Sequence, residues 1–162
     1  MKILSKQRNS RMCMICGLDN EYGVNAPFYN MEDGSVMTVF RYKEQHQSYP
    51  GRVHGGMITA MLDEMGLRSL WAKELSEETF GVTISLDTKY RKPVPYETEL
   101  IGRGVVVKNT SHFIITDSYI MDKDGEILAN GRIKYIKMDT QKIQEGVEVH
   151  EEMPYLVEDG RT

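Results

Sequence analysis

Apolar residues recur at helical spacing in one stretch of this chain and at period two in several others. From Met57 to Leu75, Ile58, Met61, Leu62, Met65 and Trp71 fall three, four and six positions apart, which predicts one amphipathic helix of about five turns. The helix follows Pro50, Gly51, Gly55 and Gly56 and is expected to stop in the charged, turn-rich Ser76–Thr79. Past it, Val82, Ile84, Leu86 and Tyr90 alternate with Thr83, Ser85, Asp87, Lys89 and Arg91, the pattern of a long half-buried strand. Further β-rich runs cover Glu99–Lys108, Phe113–Met121 and Ile127–Met138, with turns at Asn109-Thr110 and Lys123-Asp124-Gly125. Ahead of the helix, Ser35–Lys43 alternates in the same way behind an Asp33-Gly34 turn signal. This order predicts an α+β domain in which one antiparallel sheet wraps a single helix. No internal repeat interrupts it.

Three segments follow from the pattern: an N-terminal stretch 1–19, a main domain 20–138, and an acidic tail 139–162 where periodicity fades. Both ends are expected in solvent, with Met153, Pro154, Tyr155 and Leu156 as the residues of the tail able to dock back. A length of 162 residues fits one domain. The net charge of −4 argues against a nucleic-acid partner. No apolar run reaches the roughly 18 residues that span a bilayer, and Met1–Arg11 lacks a signal-peptide core, so the expectation is a cytoplasmic protein without a membrane partner. Cys13 and Cys16 form one CxxC with no second pair and no HxxxH, and Met12, Met14 and Ile15 read as packing residues. Neither a metal nor redox chemistry is expected there.

Candidate chemistry gathers at the mouth of the helix. Gly55-Gly56 lets the backbone approach a ligand, and the free amides of a first helical turn, at the positive end of the dipole, suit a carbonyl oxygen gaining negative charge. Asp63 follows Gly56 by seven residues, about two turns, so both lie on a small or polar stripe running Gly56, Thr59, Ala60, Asp63 and Gly66. That stripe, opposite the apolar one, reads as a groove for a bound chain or a second copy, with donors and acid acting on one reacting carbon. Taken singly, a glycine pair before a helix is often only a tight turn, and a mid-helix Asp is usually solvated. His54 reads as a structural histidine pinning the loop rather than a proton carrier. Glu64 points about 100° from Asp63 and is expected to pair with Arg68 or face solvent.

The run Tyr49-Pro50-Gly51-Arg52-Val53-His54-Gly55-Gly56, with Asp63 nine positions after His54 and the segment Thr83–Pro95 beyond, resembles the PaaI-type branch of the hotdog-fold thioesterases over about Asn20–Met138. The resemblance implies a hotdog fold and hydrolysis of an acyl-CoA thioester, with coenzyme A entering as part of the substrate and no separate cofactor. It implies Gly55 as the oxyanion donor, Gly56 completing the turn, and His54 in support. Asp63 becomes general base toward water, or nucleophile forming a mixed anhydride, and Thr83 orients the water. Where some members carry an Asn six positions before the histidine, this chain has Ser48, with Gln47 beside it as a further substitute. Arg91 and Lys92 are the expected phosphate contacts, with Lys108 and His112 after them. A homodimer joined edge to edge, or a tetramer as a dimer of dimers, is implied, with Phe113–Met121 as the edge to be covered. Two other readings stay open: a non-catalytic acyl-CoA-binding protein, and a hotdog hydratase or dehydratase.

Overall fold

The computed structural model describes residues 1–75 and 79–138. One helix, α1 (Gly55–Glu74), lies across a seven-stranded antiparallel sheet. The strands are β1 (Ile3–Lys6), β2 (Tyr29–Met31), β3 (Val36–Phe40), β4 (Phe80–Tyr90), β5 (Leu100–Asn109), β6 (Phe113–Met121) and β7 (Ile127–Met138), in the spatial order β1-β2-β3-β5-β6-β7-β4. The expected helix and the four strands after it are present, as is the β2–β3 hairpin, where Gly34 takes φ 75° and Ser35 N–H donates to Asp33 Oδ1 at 3.0 Å. The helix ends on Leu75 in a left-handed cap, its N–H bonded to Trp71 O.

Ile58, Met61, Leu62 and Met65 are all buried against the sheet, as the periodicity predicts. Two glycines of β5 allow that close approach. A Cβ on Gly104 would sit 2.4 Å from Met65 O, and one on Gly102 2.4 Å from Met65 Sδ. Gly104→Ala therefore forces backbone from backbone; overpacking of this kind costs about 1–3 kcal/mol, and a lower urea midpoint with unchanged slope is the expected result.

Three expectations are corrected. The N-terminal stretch is not in solvent: β1 pairs with β2, and Gln7, Asn9, Ile15 and Cys16 are buried, whereas Met12 and Met14 are exposed. Polar residues hid this, because Gln7 and Asn9 find their partners far along the chain, at Asn30, Arg68 and Ala26. Second, β6 is interior, hydrogen-bonded to β5 and β7, so Phe113–Met121 has no edge to cover; among the described residues the edge strands are β1 and β4. Third, β4 does not bury its apolar set throughout. Val82 is 44% and Ile84 49% exposed, while a bulge between Thr83 and Ser85 resets the alternation so that Thr83 turns toward α1 and Leu86 packs near Leu70 and Ile133. The expected docking residues Met153–Leu156, with the rest of the tail, lie outside the described residues, as do 76–78.

Candidate active site

His54 begins the site as the N-cap of α1. Its backbone is extended, and its Nδ1 accepts the Gly56 N–H at 2.9 Å, closing one of the orphan donors of the first turn. That is the structural role expected for it. The Gly55 N–H, by contrast, donates to no group among the described residues. Tyr90 reaches this mouth from β4, donating to Gly55 O at 3.1 Å and sharing a 2.7 Å hydrogen bond with Thr59 Oγ1. A Cβ on Gly55 would lie 3.3 Å from Tyr90 Oη, so the glycine leaves the ring its place.

The mouth opens into a cavity of about 560 Å³ whose wall includes Ser48, Arg52, Gly55, Gly56, Tyr90, Arg91 and Lys92. Five of the predicted residues thus meet there. Arg91 donates to Asn130 Oδ1 at 2.6 Å and Lys92 pairs with Glu126 at the surface. Arg52 is exposed and its guanidinium has no ion pair or hydrogen bond among the described residues. Arg52 and Tyr90 were not singled out from the sequence: an aromatic residue in an alternating strand reads as core, and an arginine inside the glycine turn reads as surface. Gln47 and Lys108 do not join the cavity. Gln47 is exposed and bridges Val53 through its backbone, and Lys108 lies 5.4 Å over the Phe113 ring on the far hairpin. His112, bonded to Ser111, belongs to that hairpin too. A larger cavity of about 650 Å³, lined by β2–β3 residues such as Met37 and Phe40, holds none of the predicted site residues.

Asp63 lies two turns down the helix, half-buried. Thr83 Oγ1 donates to both its carboxylate oxygens, at 2.8 and 3.1 Å, and Tyr135 Oη donates to its backbone carbonyl at 2.6 Å. Burial raises the Asp63 pKa above the ordinary carboxylate value, and the Thr83 hydrogen bond opposes part of that rise. The result is a carboxylate more basic than one in water, with a hydroxyl fixed beside it.

The small-residue stripe is not an open groove. Gly66 presses on the sheet, where a Cβ would meet Tyr135 Oη at 2.1 Å, and Thr59 is engaged by Tyr90. Nor do donor and acid meet within one chain. Asp63 lies eight positions along the helix from Gly55, about 12 Å of axial rise, and a shared side of a helix is not a shared place. Glu64 behaves as expected, accepting from Arg68 Nε at 2.7 Å, although Arg68 is itself only 3% exposed and stacks 4.3 Å from the Phe28 ring.

Comparison with known proteins adds to this geometry. A model of the thioesterase superfamily matches residues 50–129, the span from the turn before His54 to β7. The acyl-coenzyme A thioesterase THEM4 of Rattus norvegicus is 25% identical over 140 residues, covering 86% of this chain and 57% of its own length. Human acyl-coenzyme A thioesterase 13 is 23% identical over 100 residues, 61% of this chain and 70% of its own. The chain spans little more than half the length of the THEM4 proteins. Among solved structures, a thioesterase superfamily protein superposes with TM-score 0.69 at 26% identity, over 77% of this chain and 63% of that one. A hypothetical thioesterase protein of Streptococcus pneumoniae, crystallised with coenzyme A, gives TM-score 0.61 at 20% identity, over 71% and 87%. The sheet-wrapped helix is the hotdog fold, and the chain belongs to the thioesterase superfamily.

Proposed function

We propose that this protein hydrolyses acyl-CoA thioesters, as a member of the PaaI-type branch, at a site shared between two copies of the chain. The observation that carries the reading is the Gly55 N–H, which has no partner among the described residues and opens into a cavity edged by Arg52, Arg91 and Lys92. A backbone donor and a cationic rim are what a thioester attached to a phosphorylated carrier requires. The S. pneumoniae relative was crystallised with coenzyme A itself, and the acyl-coenzyme A thioesterases among the relatives support the same substrate class.

In the proposed reaction Asp63 takes a proton from water, and the water oxygen adds to the thioester carbon. The carbonyl oxygen then accepts from the Gly55 N–H. Collapse of the tetrahedral intermediate breaks the carbon–sulfur bond, and coenzyme A leaves as the thiol with the proton returned to it. No metal or further cofactor enters these steps. Since one chain holds the donor and the acid about 12 Å apart, the donor comes from a second copy. The free edge of β4, with Val82 and Ile84 exposed along it, supports antiparallel pairing of two sheets, an arrangement that lays two helices side by side in opposite directions.

A thiol-release assay over a panel of acyl-CoA substrates tests the activity; release of free coenzyme A is expected. Tight binding without release would instead mean a binding protein, and a change in acyl unsaturation a hydratase. Arg52→Ala should raise KM about tenfold at unchanged kcat, the loss of one charge-assisted phosphate contact. An unchanged KM removes Arg52 from the site.

A further inference from the structure

The two cysteines lie outside the thioester chemistry, yet the fold gives them a third partner that their sequence neighbourhood does not contain. Cys13 Sγ, Cys16 Sγ and a carboxylate oxygen of Glu64 all lie within 4.8 Å of one another. We infer that Cys13, Cys16 and Glu64 form a site for one borderline-soft divalent cation of the zinc class, which ties residues 9–17 to the back of α1.

The geometry fits such an ion. Zinc–sulfur bonds of about 2.3 Å and zinc–oxygen bonds of about 2.1 Å at a tetrahedral angle put sulfur and oxygen about 3.6 Å apart. Cys13 Sγ and Glu64 Oε2 are 3.9 Å apart. Arg68 holds Glu64 in a ligating orientation, because Oε1 accepts from Arg68 Nε at 2.7 Å and Oε2 is left turned toward Cys13. The sulfurs have supporting donors as well. Cys13 Sγ accepts the backbone N–H of Ile15 at 3.3 Å and of Cys16 at 3.5 Å, and Ser10 Oγ lies 3.4 Å from Cys16 Sγ. A cavity of about 130 Å³ between Ser10, Cys13, Cys16, Glu64 and Arg68 leaves a fourth coordination position for water or an added ligand.

Charge and chemistry favour this occupant over a harder cation. Two thiolates and a carboxylate carry three negative charges, which a divalent ion and the Arg68 guanidinium balance within the half-buried cluster. Thiolate ligands select zinc-class ions over magnesium or calcium, which prefer all-oxygen shells. Zinc-class ions bind cysteine as thiolate, so binding releases the thiol protons to solvent.

The test uses the full chain, reduced with a phosphine, stripped with chelator, and titrated with Zn²⁺ against a chromophoric competitor and separately with Co²⁺. The expected result is one Zn²⁺ per chain at sub-micromolar Kd, a thiolate-to-cobalt charge-transfer band, and a melting temperature that rises with free Zn²⁺. Cys13→Ser should weaken Zn²⁺ at least about 100-fold, and Glu64→Gln about tenfold while keeping the cobalt band. A folded, reduced wild-type chain that takes up no Zn²⁺ overturns the inference, and it needs no variant. Zn²⁺ affinity unchanged in Cys13→Ser overturns it equally, and affinity unchanged in Glu64→Gln removes the carboxylate on which the three-ligand site rests.

Discussion

Asp63→Asn is expected to lower kcat for thiol release by about a thousandfold, the range over which a positioned general base acts, while KM stays within a few-fold of its starting value. The substitution is nearly isosteric, and an amide oxygen at that place still accepts from Thr83 Oγ1. Folding should not suffer. Burial already holds the Asp63 pKa above its ordinary value, so the charge is costly to keep there, and a neutral amide should leave the melting temperature unchanged or higher. Wild-type turnover by this variant in a thiol-release assay would remove Asp63 from the chemistry, and a lower melting temperature would contradict the electrostatic account of its surroundings.

Gly55→Pro is the second large effect, and it tests the oxyanion donor without changing a side chain that touches solvent chemistry. Gly55 is the first residue of α1, the position where proline is tolerated, and its N–H has no partner among the described residues to lose. The residue before it, His54, sits at φ −62° and ψ 134°, an extended backbone compatible with a following proline. The change removes the hydrogen-bond donor and adds a Cβ about 3.3 Å from Tyr90 Oη. Loss of one such donor typically costs about 100- to 1,000-fold in kcat. Gly55→Ala is the control, because it brings the same 3.3 Å contact with Tyr90 Oη yet keeps the N–H. Retained turnover in the alanine variant with loss in the proline variant is the expected pair of results; equal loss in both would trace the effect to Tyr90 crowding.

The parts of the fold that could be read from the chain were those with a sustained period. Ile58, Met61, Leu62 and Met65 repeat often enough to define a helix and its buried side, and β5 to β7 each alternate over nine or more residues. Strands of three and four residues, β2 and β1, carry too few alternations to stand out. Burial of the first segment was hidden for another reason. Its anchors are Gln7 and Asn9, whose polarity suggests solvent until Arg68 and the Ala26 carbonyl are folded onto them. On β4 the bulge after Thr83 is invisible to a period-two reading, so Val82 and Ile84 looked like core and are in fact the exposed flank of a sheet edge.

The candidate site divides in the same way. His54, Gly55, Gly56 and Asp63 are close in sequence on one rigid helix, so spacing alone describes their relation. Thr83 came from the family resemblance; alternation set it opposite a Val82 read as core, whereas Val82 is exposed and Thr83 is the residue that faces Asp63. Arg52, Tyr90 and the convergence of Glu64 on Cys13 and Cys16 depend on how distant segments pack, and no local pattern encodes that.

The shared site is the central claim, and mixing two inactive variants tests it most directly. Asp63→Asn and Gly55→Pro chains, unfolded together and refolded at equal amounts, form mixed pairs as half of all dimers. Each mixed pair holds one site with both lesions and one with neither. The account predicts recovery of about a quarter of wild-type thiol release. Recovery no greater than the average of the two parents, in samples shown by native mass spectrometry to contain the mixed pair, would contradict it.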